Sequence, residues 1–91
     1  MDAERDQTPR SEKILTDLQD VYPRLSPQLR RAAHYLIDRP DEIAFTSMRQ
    51  LAERANVQPA TMVRLAQALG FDGYESLREP FRDALRRQPA G

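Results

Sequence analysis

Apolar residues in this chain recur every three or four positions, and prolines and glycines cut that pattern into short lengths. Between residues 11 and 22 the stripe is Ile14, Leu15, Leu18, Val21 and Tyr22; between 27 and 38 it is Leu29, Ala32, Ala33, Leu36 and Ile37. Such spacing lines one face of an α-helix. No alternating run long enough for a strand interrupts it. Helices of about three turns are marginal alone and must bury their stripes against one another. The pattern therefore predicts an all-α chain, a small helical bundle. With 91 residues, 40% of them hydrophobic, there is apolar material for one core and not for two.

The punctuation sets the expected boundaries. Residues 1–10 have no apolar period and are expected to be a disordered, acidic leader. Ser11 is the expected N-cap of a first helix that Pro23 ends. Ser26-Pro27 opens a second helix, with proline at the first helical position, and Pro40 stops it near Asp38. A single turn after Pro40 is expected to carry Ile43 and Phe45 inward. Thr46 or Ser47 caps a third full helix bearing Met48, Leu51, Ala52 and Ala55. Asn56 suits the left-handed conformation of a tight turn. Gln58-Pro59 starts the next helix, lined by Met62, Val63, Ala66 and Leu69 and closed by Gly70. The last segment carries Tyr74, Leu77, Phe81, Ala84 and Leu85, with a kink or restart expected at Pro80. Residues 88–91, QPAG, are expected to be a linker or a truncated end, which leaves 11–87 as the helical domain.

Several function classes find no support. No apolar stretch is long enough for a membrane span, and MDAERDQTPR has no apolar run of the secretory kind. The protein is expected to be cytoplasmic. Zero cysteines and one histidine exclude thiolate metal sites and leave His-based catalysis little to work with, so neither metal nor cofactor is expected. No Gly-rich phosphate loop or carboxylate cluster suggests an enzyme. Asp41 and Glu42 read as residues that favour a helix N-terminus. His34 reads as a partly buried packing residue, and Phe71, Tyr74 and Phe81 as core.

Fourteen basic and fourteen acidic residues cancel, but unevenly. The acids concentrate before residue 24, and the remainder is mildly basic. Thirteen of the fourteen basic residues are arginine, the side chain best matched to phosphate and guanine, although GC-rich codon usage produces the same bias. Between Phe45 and Phe71 there are three arginines (Arg49, Arg54, Arg64) and one acid, Glu53.

That acid-poor stretch is also the one that reads helix, tight turn, helix, over residues 47–69. Ala52 is small where a second helix must cross closely, Val57 plugs the corner and Met62 packs back, as in a helix-turn-helix unit. In such a unit the second helix enters the major groove and its N-terminal residues meet the bases. Gln58 and Thr61 would hydrogen-bond phosphate or base, and Pro59 and Ala60 would lie against a thymine methyl. Arg64 would reach guanine O6 and N7, and Gln67 the flanking backbone or a base. Ser47 and Arg49, at the start of the first helix of the unit, complete the candidate DNA-binding set. Arg49 and Arg54 have the plainer reading of solvated charges.

LAERANVQPATMVRLAQALGFDGYESLRE resembles the N-terminal helix-turn-helix domain of the RpiR family of bacterial regulators, roughly L-A-E-x-A-x-V-S-x-A-T-V-x-R-F-x-x-x-L-G-F-x-G-[FY]. Leu51, Ala52, Glu53, Ala55, Val57, Ala60, Thr61, Arg64, Leu69, Gly70, Phe71, Gly73 and Tyr74 match it, and upstream Leu36, Pro40, Ile43 and Ser47 fit as well. The likeness covers about residues 25–85. It departs at Gln58 (usually Ser), Met62 (usually Val), Leu65 (usually Phe) and at Pro80. The resemblance implies a homeodomain-like bundle that binds double-stranded DNA and controls transcription of sugar or carbon metabolism genes. It also implies a C-terminal SIS domain that binds a phosphosugar effector; nothing in these 91 residues corresponds to one. Helix-turn-helix proteins often act in pairs, so a homodimer is expected. The stripe Ile14, Leu15, Leu18, Val21, Tyr22 can pack on its own domain or across a two-fold axis. The alternative is a helical protein–protein interaction module that binds no DNA, which zero net charge and the apolar first helix favour.

Overall fold

A computed structural model describes residues 9–87. Residues 1–8 of the expected leader and the terminal 88–91 lie outside them. The described chain forms six α-helices: α1 (Arg10–Val21), α2 (Pro27–Asp38), α3 (Asp41–Phe45), α4 (Met48–Ala55), α5 (Pro59–Ala68) and α6 (Tyr74–Arg86). A 3-10 turn, Tyr22–Arg24, follows α1 and contains Pro23. No strand is present among the described residues.

Local chemistry sets the starts. Ser26 Oγ accepts the Leu29 N–H at 3.4 Å and Ser47 Oγ the Gln50 N–H at 3.1 Å, each satisfying a donor that a helix N-terminus leaves free. Ser11 does not cap. The helix begins at Arg10 with Pro9, two residues before Ser11, at the cap position, and Ser11 turns inward to 8% exposure.

Two helix ends share one backbone device. After α4 the Val57 N–H reaches the Ala52 carbonyl at 2.9 Å and the Asn56 N–H the Glu53 carbonyl at 3.1 Å. After α5 the Phe71 and Gly70 N–H groups do the same to Ala66 (3.0 Å) and Gln67 (2.9 Å). This six-to-one, five-to-two pattern needs a left-handed residue, and Asn56 (φ 63) and Gly70 (φ 96) supply it.

Every helix contributes to one core. Leu18, Leu36, Ile43, Leu51, Met62, Leu65 and Leu77 are all removed from solvent. Ala32, Ala33, Ala52 and Ala66 keep the contacts around α5 close. α6 packs on α1, α3 and α5, and α2 on α1, α4 and α5. Burying a leucine is worth about 2 kcal/mol, so these seven side chains dominate the stability of so small a domain.

Four expectations need correction. Phe45 is 63% exposed. In a helix of only five residues Ile43 and Ala44 take the inner side, and Thr46 beyond it is buried, which leaves Phe45 facing out. His34 is exposed, lying about 200° around α2 from both Ala32 and Leu36. Leu65, absent from the expected stripe of α5, is wholly buried beside Met62 and Ala66, while Val63 and, just past the helix, Leu69 are half-buried. Finally, α6 runs unbroken from Tyr74 to Arg86 with Pro80 buried inside it.

The α1 stripe is spent largely within the protomer. Ile14 (5% exposed) and Leu18 (0%) belong to the core, because α2 and α6 close over them. That removes both from any surface offered to a second copy. Leu15 and Tyr22 pack against the core and keep partial exposure, as does Val21.

Candidate nucleic-acid interface

α4 and α5 meet at the left-handed Asn56, and the turn is short because it holds only Asn56, Val57 and Gln58 between helices. Val57 is half-buried against the core, which fixes the corner. α5 then opens at Pro59, whose ring matches a helical φ and whose missing N–H costs nothing there. Gln58 occupies the cap position in an extended conformation and makes no side-chain cap bond. Its carbonyl accepts the Thr61 N–H at 2.9 Å. The N-terminus of α5 is therefore without a side-chain cap and presents the positive end of its dipole outward.

In front of that N-terminus lies a cleft of about 930 Å³. α4 contributes Arg49 and Glu53, the turn contributes Gln58, α5 contributes Pro59, Ala60, Thr61 and Arg64, and α2 contributes Gln28 and Arg31. Three guanidinium groups thus face one carboxylate, which makes the cleft positive within a chain of zero net charge. Among the described residues none of the three has a carboxylate within ion-pair distance.

Six of the eight residues expected to meet DNA come together here: Arg49, Gln58, Pro59, Ala60, Thr61 and Arg64. Gln58, Ala60, Arg49 and Arg64 are exposed. Thr61 differs from expectation. It is 4% exposed and forms the floor of the cleft, because it sits four residues before the buried Leu65 on the inner face of α5. Ser47 is occupied as the cap of α4 and lies outside the cleft lining. Gln67 also lies outside it; its Nε2 reaches the Asp72 carbonyl at 3.5 Å, towards the loop after α5.

Gln28 and Arg31 were not singled out from the sequence. Arg31 donates through Nη1 to the Asn56 carbonyl at 3.3 Å, twenty-five residues away, and no local pattern signals a pairing that distant. Arg54, by contrast, belongs to a different group. Its Nη1 meets Glu42 Oε1 at 2.9 Å, and the same oxygen accepts the Tyr35 hydroxyl at 2.7 Å. Arg39 lies over the Tyr35 ring at 5.8 Å and within 3.8 Å of the other Glu42 oxygen. The Tyr35 hydrogen bond, reinforced by Arg54, holds the Glu42 carboxyl below its ordinary range. Burial and the Glu42 carboxylate push the Tyr35 phenol up. This cluster, none of whose residues lines the cleft, ties α2, α3 and α4 together and neutralises Arg54.

Two helices joined by a left-handed turn, the second of them without a side-chain cap beside an arginine-lined cleft, define a helix-turn-helix domain. The chain matches the family described as "Helix-turn-helix domain, rpiR family" over residues 12–88 and belongs to it. This is a family of transcription regulators. The chain is also 33% identical over 75 residues to an uncharacterized HTH-type transcriptional regulator, YfhH, of Escherichia coli (strain K12). The aligned region is 82% of this chain and 27% of that relative, so the chain spans about a quarter of the relative's length.

Among the described residues no helix is long and apolar enough to cross a membrane, and no group of His, Cys, Asp or Glu side chains is placed to hold a metal ion.

Proposed function

We propose that the chain binds double-stranded DNA sequence-specifically as the reading head of a bacterial transcriptional regulator, with α5 in the major groove. The observation that carries this reading is the meeting of Arg49, Arg64 and the N-terminus of α5 on one open cleft. Backbone N–H groups and arginines suit phosphate, and an exposed arginine one turn into the helix is placed to span guanine O6 and N7. Pro59 and Ala60 offer small apolar surface to a thymine methyl. Gln58, where the family usually has Ser, makes the base preference particular to this chain.

The wider reading follows from the family. The regulator works in the cytoplasm as a homodimer on paired half-sites about 34 Å apart. It controls sugar or carbon metabolism genes, and a phosphosugar bound by a C-terminal SIS domain sets its response. A relative several times longer than the matched region supports the presence of further domains in such regulators.

Fluorescence anisotropy tests the DNA reading. A labelled duplex from upstream of the protein's own gene and a scrambled duplex are titrated over a range of salt. Binding is expected to favour one sequence and to fall steeply with salt. Arg64→Ala should lose about 1–3 kcal/mol on the preferred site and relax discrimination at one base pair. Unchanged binding by Arg64→Ala would place α5 wrongly. Failure to bind either duplex at low salt, with capture of a protein partner instead, would favour the interaction-module reading.

A further inference from the structure

The cleft is built from three helices, and the third lies outside the helix-turn-helix. Arg31 and Gln28 on α2 line the same space as Arg49 and Arg64. We infer that Arg31 is a backbone-phosphate contact, so that α2 extends the DNA footprint beyond α4 and α5. This rests on the DNA reading above.

Three observations carry it. First, Arg31 is exposed, and among the described residues no carboxylate lies within ion-pair distance of it. Several other exposed arginines are paired: Arg39 with Asp38 and Glu42, Arg54 with Glu42, Arg86 with Glu79 and Asp83. Second, Arg31 is held in place. Its Nη1 bond to the Asn56 carbonyl sets the guanidinium over the turn that precedes α5. A neutral carbonyl at 3.3 Å leaves the positive charge uncompensated, and a guanidinium has four further N–H donors for a phosphate. Third, the carbonyl it anchors to belongs to the left-handed residue that sets the direction of α5. A phosphate on Arg31 is thereby fixed in register with whatever α5 reads. The contact carries no sequence information itself; it positions the helix that does.

This assigns different signatures to two arginines of one cleft. Arg64 contributes to discrimination between sequences. Arg31 contributes equally to all of them, through released counterions, and should account for about one unit of the slope of log K against log salt. At about 0.1 M salt one such contact is worth roughly fivefold to tenfold in affinity.

The experiment compares wild type, Arg31→Gln, Arg31→Lys and Arg82→Gln. The probes are a fluorescein-labelled 20-base-pair duplex of mixed sequence and the best duplex selected from a random pool, each titrated across potassium chloride. Arg31→Gln is expected to bind both duplexes roughly fivefold to tenfold more weakly with a slope lower by about one. Arg31→Lys keeps the charge and should retain the wild-type slope. Arg82 is exposed on α6 and away from the cleft, so Arg82→Gln should match wild type. Melting curves establish that each variant is folded. If wild type binds and Arg31→Gln keeps its affinity and slope, the assignment is overturned. It is overturned too if the loss falls on the selected duplex alone, which would make Arg31 a base reader. Equal loss from Arg82→Gln would overturn it by reducing the effect to overall charge. If Arg31→Gln does not fold, a lowered slope in Arg31→Lys would equally overturn it, because an ammonium keeps a phosphate contact. Wild type that binds neither duplex would instead remove the DNA reading on which the inference stands.

Discussion

Asn56 joins the two helices on which the proposed interface depends, and it does so at φ 63 and ψ 46. An ordinary side chain pays about 1–2 kcal/mol in that region, asparagine less and glycine nothing. Asn56→Ala should therefore destabilise the domain by about 1 kcal/mol, while Asn56→Gly stays within about 0.5 kcal/mol of wild type. Urea unfolding of the three proteins decides it; equal stability of Ala and Asn would show that the turn relaxes out of the left-handed region. This residue was legible in the sequence because its conformational preference is its own. So were Arg64 and Gln58, whose exposure follows from their places on α5 and at its cap. The burial of Thr61 at the cleft was not read from its hydroxyl, yet its spacing to Leu65 is the signal that puts it inside. Phe45 was misread for the opposite reason: five residues give too little helical period to set a phase. Arg31 could not be found at all from its neighbours, because what gives it a place in the cleft is a carbonyl twenty-five residues on.

The elements are legible where their signals are local and obscure where they depend on packing. Ser26, Ser47 and Gly70 mark helix ends through bonds within a few residues, and the chain shows them directly. The lock between α2, α3 and α4 is not local: Tyr35, Glu42 and Arg54 meet only once the bundle has formed. Its stability carries a pH signature. The Tyr35 hydroxyl, then Arg54, hold the Glu42 carboxyl below its ordinary 4.5, so the folded state favours the ionised form. That contribution is complete above the unfolded value and is lost as pH falls through the folded one. Glu42→Gln should therefore melt below wild type near neutral pH, with the gap closing as pH falls through the range where the folded carboxyl takes up its proton. A gap that does not change with pH would mean that the lock acts by shape and not by charge. α6 poses a different balance at Pro80, where a kink or a restart is the expectation and the helix continues without a restart. Proline there leaves the Ser76 carbonyl without its helical donor, at a cost of about 3 kcal/mol relative to alanine. Pro80→Ala removes two buried methylenes, worth about 1.6 kcal/mol. The helix term wins by about 1 kcal/mol, so Pro80→Ala should raise the melting temperature by a few degrees; a lower melting temperature would mean that the ring packs better than its carbon count implies.

At the scale of the molecule the question is what brings two copies together. An amphipathic first helix read from sequence does not say what covers it, and here the domain itself covers most of it: Ile14 and Leu18 lie in the core. The large apolar side chains left exposed among the described residues are Phe45 and Leu85. A stable protein interface needs about 800 Å² from each partner, and two such side chains, even with the partly exposed Leu15 and Tyr22, fall well short of that. The domain should therefore stay monomeric in the absence of DNA. The proposed pair would then form on paired half-sites, or through parts of a longer regulator, and α1 would not be its seam. Sedimentation velocity checks this directly. The chain should run as a single 10.5 kDa species at tens of micromolar. On a duplex carrying two half-sites one helical turn apart, about 34 Å, two copies should load with little cooperativity. Moving the half-sites by half a turn should hardly change affinity, because nothing in the domain rewards the two copies for sharing one face of the DNA. A particle of twice the mass at low micromolar concentration without DNA, or a strong loss on the half-turn duplex, would restore a protein contact between the copies. The residues to replace would then be Leu15, Tyr22 and Leu85, since the buried members of the stripe cannot be exposed without opening the core.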